Sequence, residues 1–395
     1  MRGCSGRMKK VVAVIVAVVA LLVGATAVVL AIANRDLPTQ SAVVSQLSEL
    51  EKARLAEAVQ LRQHLGTQVW PGWEHADIPI VLYNEQYAFL IGYDQPPTGW
   101  RMPNGEQRGT EWELVDDLLA GESYYRQHLP ASGETPQAFT VLVGERWAAS
   151  MTTKEWMEIK LTDMFREQLP ELITAVFPYE WMSQQFIGGT EGYVGALLHE
   201  SFHAFIGDQK PERLTEAEAV LGVEDQFPWS DEAFQADWQT ELDLLIEAVK
   251  ADSVAEMADL ARQFLQQRDH RRTTYGLNNE LVNYERQREW LEGIAKYVEM
   301  EIQRQAWLME DYVPVTAVTT DPNFNAYANF PRRWQQQVDQ IGRMAGDEGD
   351  GRFYYTGMAQ AFLLDQLLPD WKTKALDEGI YLEDLLAIAI NNNAN

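Results

Sequence analysis

The chain has one cysteine, Cys4, in 395 residues, and it precedes a long apolar run near the N-terminus. The rest of the chain therefore holds no disulfide, so its fold must depend on core packing and on any metal that it binds. Its 46% hydrophobic and 11% aromatic residues are typical of a folded protein. The length suits one large domain or two modest ones.

Basic residues are scarce relative to acidic ones. The chain has 32 Lys and Arg against 59 Asp and Glu, and a net charge of −27. Four of the basic residues fall within positions 1–10, so the remainder is more acidic still. A charge of this sign repels nucleic acid phosphates and anionic lipid surfaces. We therefore expect neither of them as a partner.

Charged residues are absent from residues 11–33, VVAVIVAVVALLVGATAVVLAIA, which follow a short basic tail at 1–10. This run is long enough for a transmembrane helix, which needs about 20 apolar residues. The basic tail predicts a cytoplasmic N-terminus and an extracellular remainder. The alternative is secretion after cleavage near Ala33, because residues 31–33 resemble a signal-peptidase site. The run exceeds the apolar region of about 7–15 residues usual in signal peptides, which favours an uncleaved anchor.

The remaining chain predicts a helix-rich α+β fold. Residues 34–66 predict a helical stalk or the first helix of the domain, with helix over 41–65 ended by Gly66. Residues 67–395 predict the main domain. Short β-branched and aromatic runs at 78–93 and 138–144 predict strands, with a hairpin about Asn84. Long amphipathic segments follow, with a helix break at Pro170.

Histidine is also rare, but two of the six lie in ALLHESFHAF, residues 196–205. On an α-helix His199 and His203 share one face, where both can bind a single Zn²⁺. Glu200 is rotated by about 100° from His199, so it borders the metal and can take a proton from water. Thr190 is a candidate N-cap and Gly207 a candidate end of this helix. The alternative is an amphipathic helix with two histidines and no metal.

A catalytic zinc site needs a third protein ligand. No histidine follows His203 at the HExxHxxGxxH spacing, and the four other histidines lie in polar segments where we expect surface positions (His64, His75, His128 and His270). A downstream carboxylate remains. Glu292, in EWLEGIAKYVEM (289–300), borders an apolar helical stripe, and Gly293 beside it lets another helix come close. Glu289, one turn earlier, is the main alternative, and this charged helix face is also compatible with simple solvation.

The two segments together resemble a known group. An HExxH motif followed tens of residues later by a helix reading roughly EGxAxY, here EGIAKY at 292–297, is similar to the gluzincin branch of the zincin metallopeptidases, the peptidase MA-like families. The resemblance implies a zincin-like fold, with His199, His203 and Glu292 as zinc ligands and Glu200 as general base. It is specific over these two segments and looser elsewhere. Some gluzincins place an Asp one turn after the ligand Glu to orient a zinc histidine, whereas this chain has Lys296 there. Another carboxylate or a carbonyl would have to make that contact.

Zinc peptidases usually also have a hydrogen-bond donor for the oxyanion of the tetrahedral intermediate. Tyr354 and Tyr355 are candidates, because they follow a glycine-rich acidic stretch (346–351) and precede an amphipathic helix. The alternative is two ordinary packed aromatic residues, and Tyr297 is a weaker candidate. The acidic stretch lacks the spacing of an EF-hand and predicts a mobile loop.

These observations predict a membrane-anchored extracellular zinc metallopeptidase that acts on a peptide or protein. The alternative from another class is a catalytically inactive zincin-fold binding or scaffold protein at the cell surface. A closed structural zinc site is a third, but it would require a fourth protein ligand. The chain lacks a GxMEN-like stretch of the M1 aminopeptidase type, which favours an endopeptidase without deciding the matter. The sequence leaves the oligomeric state and the cleavage specificity open.

Overall fold

The computed structural model describes residue 21, residues 24–130 and residues 140–393. The predicted basic tail with Cys4 and most of the predicted transmembrane segment, 11–33, lie outside the described residues. Residues 24–33 are helical. In the part of the chain that the structure describes, no helix combines the length and apolar character needed to cross a bilayer.

One mixed sheet of eight strands lies in the first half of the described chain. The strands are β1 (Ile80–Tyr83), β2 (Tyr87–Ile91), β3 (Trp100–Arg101), β4 (Gln107–Arg108), β5 (Glu113–Leu119), β6 (Glu122–His128), β7 (Thr140–Val143) and β8 (Arg146–Thr152). Its spatial order is β4-β3-β7-β8-β1-β2-β6-β5, and all neighbouring pairs are antiparallel except β1 with β8. The predicted hairpin about Asn84 joins β1 to β2.

Side chains alternate along each strand, so the central strands contribute to a core on each face of the sheet. Ile80 and Leu82 of β1 join the main core, whereas Val81 between them joins a smaller core on the opposite face. Phe89 of β2 belongs to the main core, while its neighbour Leu90 belongs to the smaller one. The helices pack on the face of the sheet that contributes to the main core.

Helix α1 (Glu49–Val69) differs from its predicted bounds. It begins after Ser48, whose side chain accepts a hydrogen bond from the backbone N–H of Glu51, and it continues through Gly66. Its residues Leu61 and Leu65 are fully buried in the main core. The helix is therefore packed into the domain rather than extended from it as a stalk.

Helices make up most of the remaining described chain, so the prediction of a helix-rich α+β fold is confirmed. Helix α2 (Lys154–Gln168) ends directly before the Leu169-Pro170 pair, as predicted for a break at Pro170. The helices after the sheet are α2 (Lys154–Gln168), α3 (Glu171–Thr174), α4 (Tyr179–Ile187), α5 (Gly189–Gln209), α6 (Pro211–Ala219), α7 (Glu232–Lys250), α8 (Val254–Thr274), α9 (Asn279–Arg288), α10 (Ile294–Leu308), α11 (Phe330–Ile341), α12 (Gly351–Leu367), α13 (Lys372–Ala375) and α14 (Leu382–Asn393).

Helix α5 occupies the centre of the molecule. It packs on β8 of the sheet, and on α1 and α10 on its other sides. Gly207 permits the contact with β8, because a Cβ at this position would lie only 2.5 Å from Cγ of Trp147. Gly207 thus lies inside the helix, which continues to Gln209, and it does not end the helix as predicted.

Candidate metal centre

Helix α5 presents His199 and His203 one turn apart, and both side chains are buried. The helix begins at Gly189, and its preceding residue is Gly188. Thr190 is therefore inside the first turn and does not cap the helix as predicted. Its hydroxyl lies 2.5 Å from Oδ2 of the buried Asp321 instead. The start of the helix is thus tied to a segment more than a hundred residues downstream.

Glu292 reaches the same place from a π-helical turn, Glu289–Gly293, which lies between α9 and α10. Turns of this kind are rare and occur frequently at functional sites, because the extra residue changes where a side chain points. Gly293 allows α12 to lie against this turn, as predicted for a close helix approach. A Cβ on Gly293 would lie 2.4 Å from Cα of Gly357.

The three side chains meet at one carboxylate oxygen. Glu292 Oε2 lies 3.1 Å from His199 Nε2 and 3.2 Å from His203 Nε2. All three candidate ligand atoms lie within 4.8 Å of one another. Tetrahedral Zn²⁺ with bonds of about 2.0–2.1 Å separates its ligand atoms by roughly 3.3 Å. The spacing of this buried group therefore suits a metal ion.

The second oxygen of Glu292 is held by a guanidinium. Arg288 Nη2 lies 2.7 Å from Glu292 Oε1 and 2.6 Å from Asp350 Oδ2. Burial opposes ionisation of Glu292, but His203, Arg288 and the imidazole hydrogen bonds outweigh it and hold the pKa well below its usual value. Glu292 is thus a charged carboxylate with one oxygen facing the histidines, as metal ligation requires.

A further carboxylate faces the other nitrogen of His199. Glu299 lies on α10, and its Oε2 atom is 3.7 Å from His199 Nδ1. Lys296 Nζ contacts both oxygens of Glu299 at 2.8 and 2.9 Å, and Arg333 Nη2 lies 3.2 Å from Oε1. Lys296, which stands where some gluzincins have an Asp, therefore holds the carboxylate that faces the histidine. The sequence named the missing contact but not the residue that makes it.

Glu200 lies beside this group on α5 and is half-buried. Its Oε2 atom is buried and has no hydrogen-bond partner among the described residues. Burial raises the pKa of Glu200 well above its usual value, and the nearby carboxylates of Glu292, Glu218 and Glu299 add to this. A carboxyl group with a raised pKa and a free oxygen is suited to accepting and returning a proton.

The two predicted tyrosines lie in the first turns of α12 and have different surroundings. The ring of Tyr354 is nearly parallel to the imidazole of His199, with the ring centres 5.6 Å apart and an angle of 11°. Burial and the Glu292 carboxylate raise the pKa of Tyr354 well above its usual value. Tyr355 instead lines an adjacent cavity of about 490 Å³, and burial raises its pKa to about 12. Tyr297 is farther along α10, and its hydroxyl donates to Asp365 Oδ2.

Glu289, the main alternative ligand, is committed to other partners. Its two oxygens lie 2.6 and 2.7 Å from nitrogens of Arg268, and they also accept from Thr356 and Gln360. Glu289 is thus a member of a buried ion-pair network and does not face the two histidines. The network joins α7, α8, α9 and α14 through Arg268, Arg271, Arg272, Glu241, Glu285, Glu289 and Glu383.

Besides Glu299, two further residues around the site, Arg288 and Asp350, were missed from the sequence. Arg288 precedes Glu292 by four residues, and this helical spacing for an ion pair was a usable signal. Asp350 belongs to the stretch predicted as a mobile loop, but its carboxylate is bound to the buried Arg288. The four other histidines are exposed, as predicted.

No protein-family model, curated protein or solved structure matches this chain. The resemblance to gluzincins therefore stays a prediction, carried by the two sequence motifs.

Proposed function

We propose that this chain is a zinc-dependent metallopeptidase with a zincin-like fold, and that it hydrolyses peptide bonds of a peptide or protein substrate. The observation that carries the proposal is the meeting of His199, His203 and Glu292 beside Glu200, whose free oxygen and raised pKa suit proton transfer. In this proposal residues 11–33 anchor the chain in the membrane, with the domain outside the cell.

The donor set supports zinc in a catalytic rather than a structural role. Two imidazole nitrogens and one carboxylate oxygen are common zinc ligands, and three protein ligands leave one position for water or substrate. A closed structural site would need a fourth protein ligand. Among the described residues, the group of potential ligands at this place has three members.

Zinc, when bound, polarises a carbonyl oxygen and lowers the pKa of water. The residues of the chain supply the proton transfer. The Glu200 carboxylate accepts a proton from the attacking water through its free oxygen and passes it to the nitrogen of the leaving amine. Glu200 then returns to its ionised form, so no net proton is lost over the cycle.

Tyr354 supplies the donor for the developing oxyanion in this proposal. Its ring packs on His199, which places it at the metal centre, while Tyr355 lines the neighbouring cavity. The raised pKa of Tyr354 keeps its hydroxyl protonated at neutral pH, so the hydroxyl remains a donor. Arg288 and Glu299 hold the ligands Glu292 and His199 in place.

Replacement of single residues separates metal binding from hydrolysis. We expect Glu200→Gln to retain zinc, measured by elemental analysis of the purified protein, and to lose cleavage of a peptide library by about 10²-fold or more. We expect His199→Ala to lose both. Full activity of Glu200→Gln would falsify the mechanism. Zinc binding without cleavage by the unaltered chain would support the inactive binding or scaffold protein instead.

A further inference from the structure

Three large apolar side chains are exposed on α3 and α4. Ile173 is 45% exposed, Trp181 59% and Phe186 62%. Isolated apolar residues on a surface are ordinary, but here three of them fall within residues 171–187, beside the end of the apolar run. We call this region, residues 171–187, the α3–α4 surface.

The α3–α4 surface rests on a cluster of packed aromatic residues. The ring of Phe186 contacts Phe165 of α2 at 5.3 Å between ring centres, and Phe165 contacts Phe177 at 5.6 Å. Phe177 in turn contacts the buried Tyr179 at 5.0 Å. Phe186 is therefore the exposed end of a packed aromatic cluster.

The apolar run of the N-terminus ends on this same surface. Asn34, the first residue after residues 11–33, donates from Nδ2 to the carbonyl oxygens of Ala175 at 3.0 Å and Phe177 at 2.9 Å. A cavity lies at the junction, and it is lined by residues from both sides, including Ala31, Asn34, Glu171, Thr174 and Tyr179. No free linker separates the end of the apolar run from the α3–α4 surface.

We propose that the α3–α4 surface lies on the membrane and that Ile173, Trp181 and Phe186 enter the interface of a zwitterionic bilayer. This inference rests on the proposed anchor at residues 11–33, because a chain that leaves a bilayer there is fixed to this surface one residue later. Exposed Trp and Phe side chains are favourable at the bilayer interface. The net charge of −27 favours uncharged over anionic lipid.

The arrangement has a consequence for the metal centre. Phe186 also lines the cavity of about 490 Å³ that contains Tyr355 and Glu299. The cavity beside the metal centre therefore adjoins the bilayer surface. Substrates that reach it are held close to the membrane.

Site-specific fluorescence in vesicles tests the inference on the full chain. Cys4→Ser removes the native thiol, and Ile173→Cys, Trp181→Cys or Phe186→Cys then gives one position for an environment-sensitive NBD label. Each protein is reconstituted in phosphatidylcholine vesicles with and without a lipid that carries a nitroxide quencher on its acyl chain. Ile388→Cys on α14 is the matched control, since Ile388 is 43% exposed.

We expect the nitroxide lipid to quench each of the labels at 173, 181 and 186 at least about twice as strongly as the label at 388. Equal quenching at all positions would overturn the inference and indicate that no defined surface faces the membrane. Self-quenching that depends on the protein concentration rather than on the nitroxide concentration would overturn it in favour of contact with a second copy of the chain. Co-sedimentation with vesicles without quenching would refute the α3–α4 surface alone. Failure to co-sediment would refute the anchor as well, and neither result depends on peptide hydrolysis.

Discussion

Glu289 and Glu292 lie three residues apart in one π turn, and each accepts from a different arginine, yet their carboxylates face different parts of the molecule. Glu292 faces the two imidazoles of α5, whereas Glu289 is bound by Arg268 and by the hydroxyl of Thr356. The same short stretch of chain therefore joins the candidate metal centre to the buried ion-pair network.

This division predicts different outcomes for two matched substitutions. Glu292→Gln removes a charged ligand atom, so we expect zinc affinity to fall by more than the 10–100-fold that loss of an outer contact costs. Glu289→Gln breaks a buried ion pair, so we expect zinc to remain bound while unfolding becomes easier by about 3–5 kcal/mol. Competition with a chelating dye and thermal unfolding measure the two quantities. Normal zinc affinity in Glu292→Gln and loss of zinc in Glu289→Gln would identify Glu289 as the ligand.

Glu299 is expected to act through His199 rather than through the metal itself. Replacing it in Glu299→Gln removes the negative charge that faces His199 Nδ1, and we expect zinc affinity to fall by about 10–100-fold. Glu301→Gln is the matched control, because Glu301 lies on the same helix, is buried and pairs with Arg304 away from the histidines. Titration with zinc in the presence of a chelator measures both. Equal affinities in the two variants would show that Glu299 does not position His199.

The two tyrosines are distinguished by removing one hydroxyl at a time. We expect Tyr354→Phe to keep zinc and to lower kcat by about 10²–10³-fold, the usual effect of losing one oxyanion donor. Tyr355→Phe should change kcat little, because Tyr355 lines the cavity and does not pack on His199. Steady-state kinetics on a cleaved peptide provide the measurement. A large loss of kcat in Tyr355→Phe, with normal kcat in Tyr354→Phe, would exchange the two roles.

Local spacing explains how much of the site could be predicted from the sequence. His199, Glu200 and His203 follow from helix periodicity, because residues four apart share a face whatever the rest of the chain does. Glu292 is indicated by the apolar stripe of its helix and by the resemblance of EGIAKY to a known motif. The π turn that surrounds Glu292 has no comparable sequence signal.

The remaining contacts depend on tertiary packing. Asp350 meets Arg288 across 62 residues, and Glu299 meets His199 across two helices. The predicted helix ends were wrong because they too depend on tertiary packing. Thr190 bonds to Asp321 instead of capping α5, and the core contacts of α1 carry that helix past Gly66 to Val69. Periodicity predicts the elements, whereas contacts between distant segments decide their ends and the surroundings of the ligands.

We expect acid stability to depend on Glu285, which lies between two arginines of the buried network. Its carboxylate oxygens are each 2.6 Å from a nitrogen of Arg271 or Arg272. Burial opposes ionisation, but the two guanidinium groups outweigh it and lower the pKa of Glu285 from 4.5 to about 2. Because the folded-state pKa is the lower one, the stabilisation is fully present above about pH 4.5 and is lost as pH falls towards 2.

We therefore expect the unfolding temperature to fall through this pH window and the fall to be shallower in Glu285→Gln. At pH 7 the variant should be less stable by about 3–5 kcal/mol, since two buried arginines lose their shared partner. Glu280→Gln, at an exposed position of the same helix α9, is the control and should stay within about 0.5 kcal/mol of the unaltered protein. Thermal unfolding at a series of pH values measures the stability of the unaltered protein and of both variants. An unchanged acid limb in Glu285→Gln would show that the network does not set acid stability.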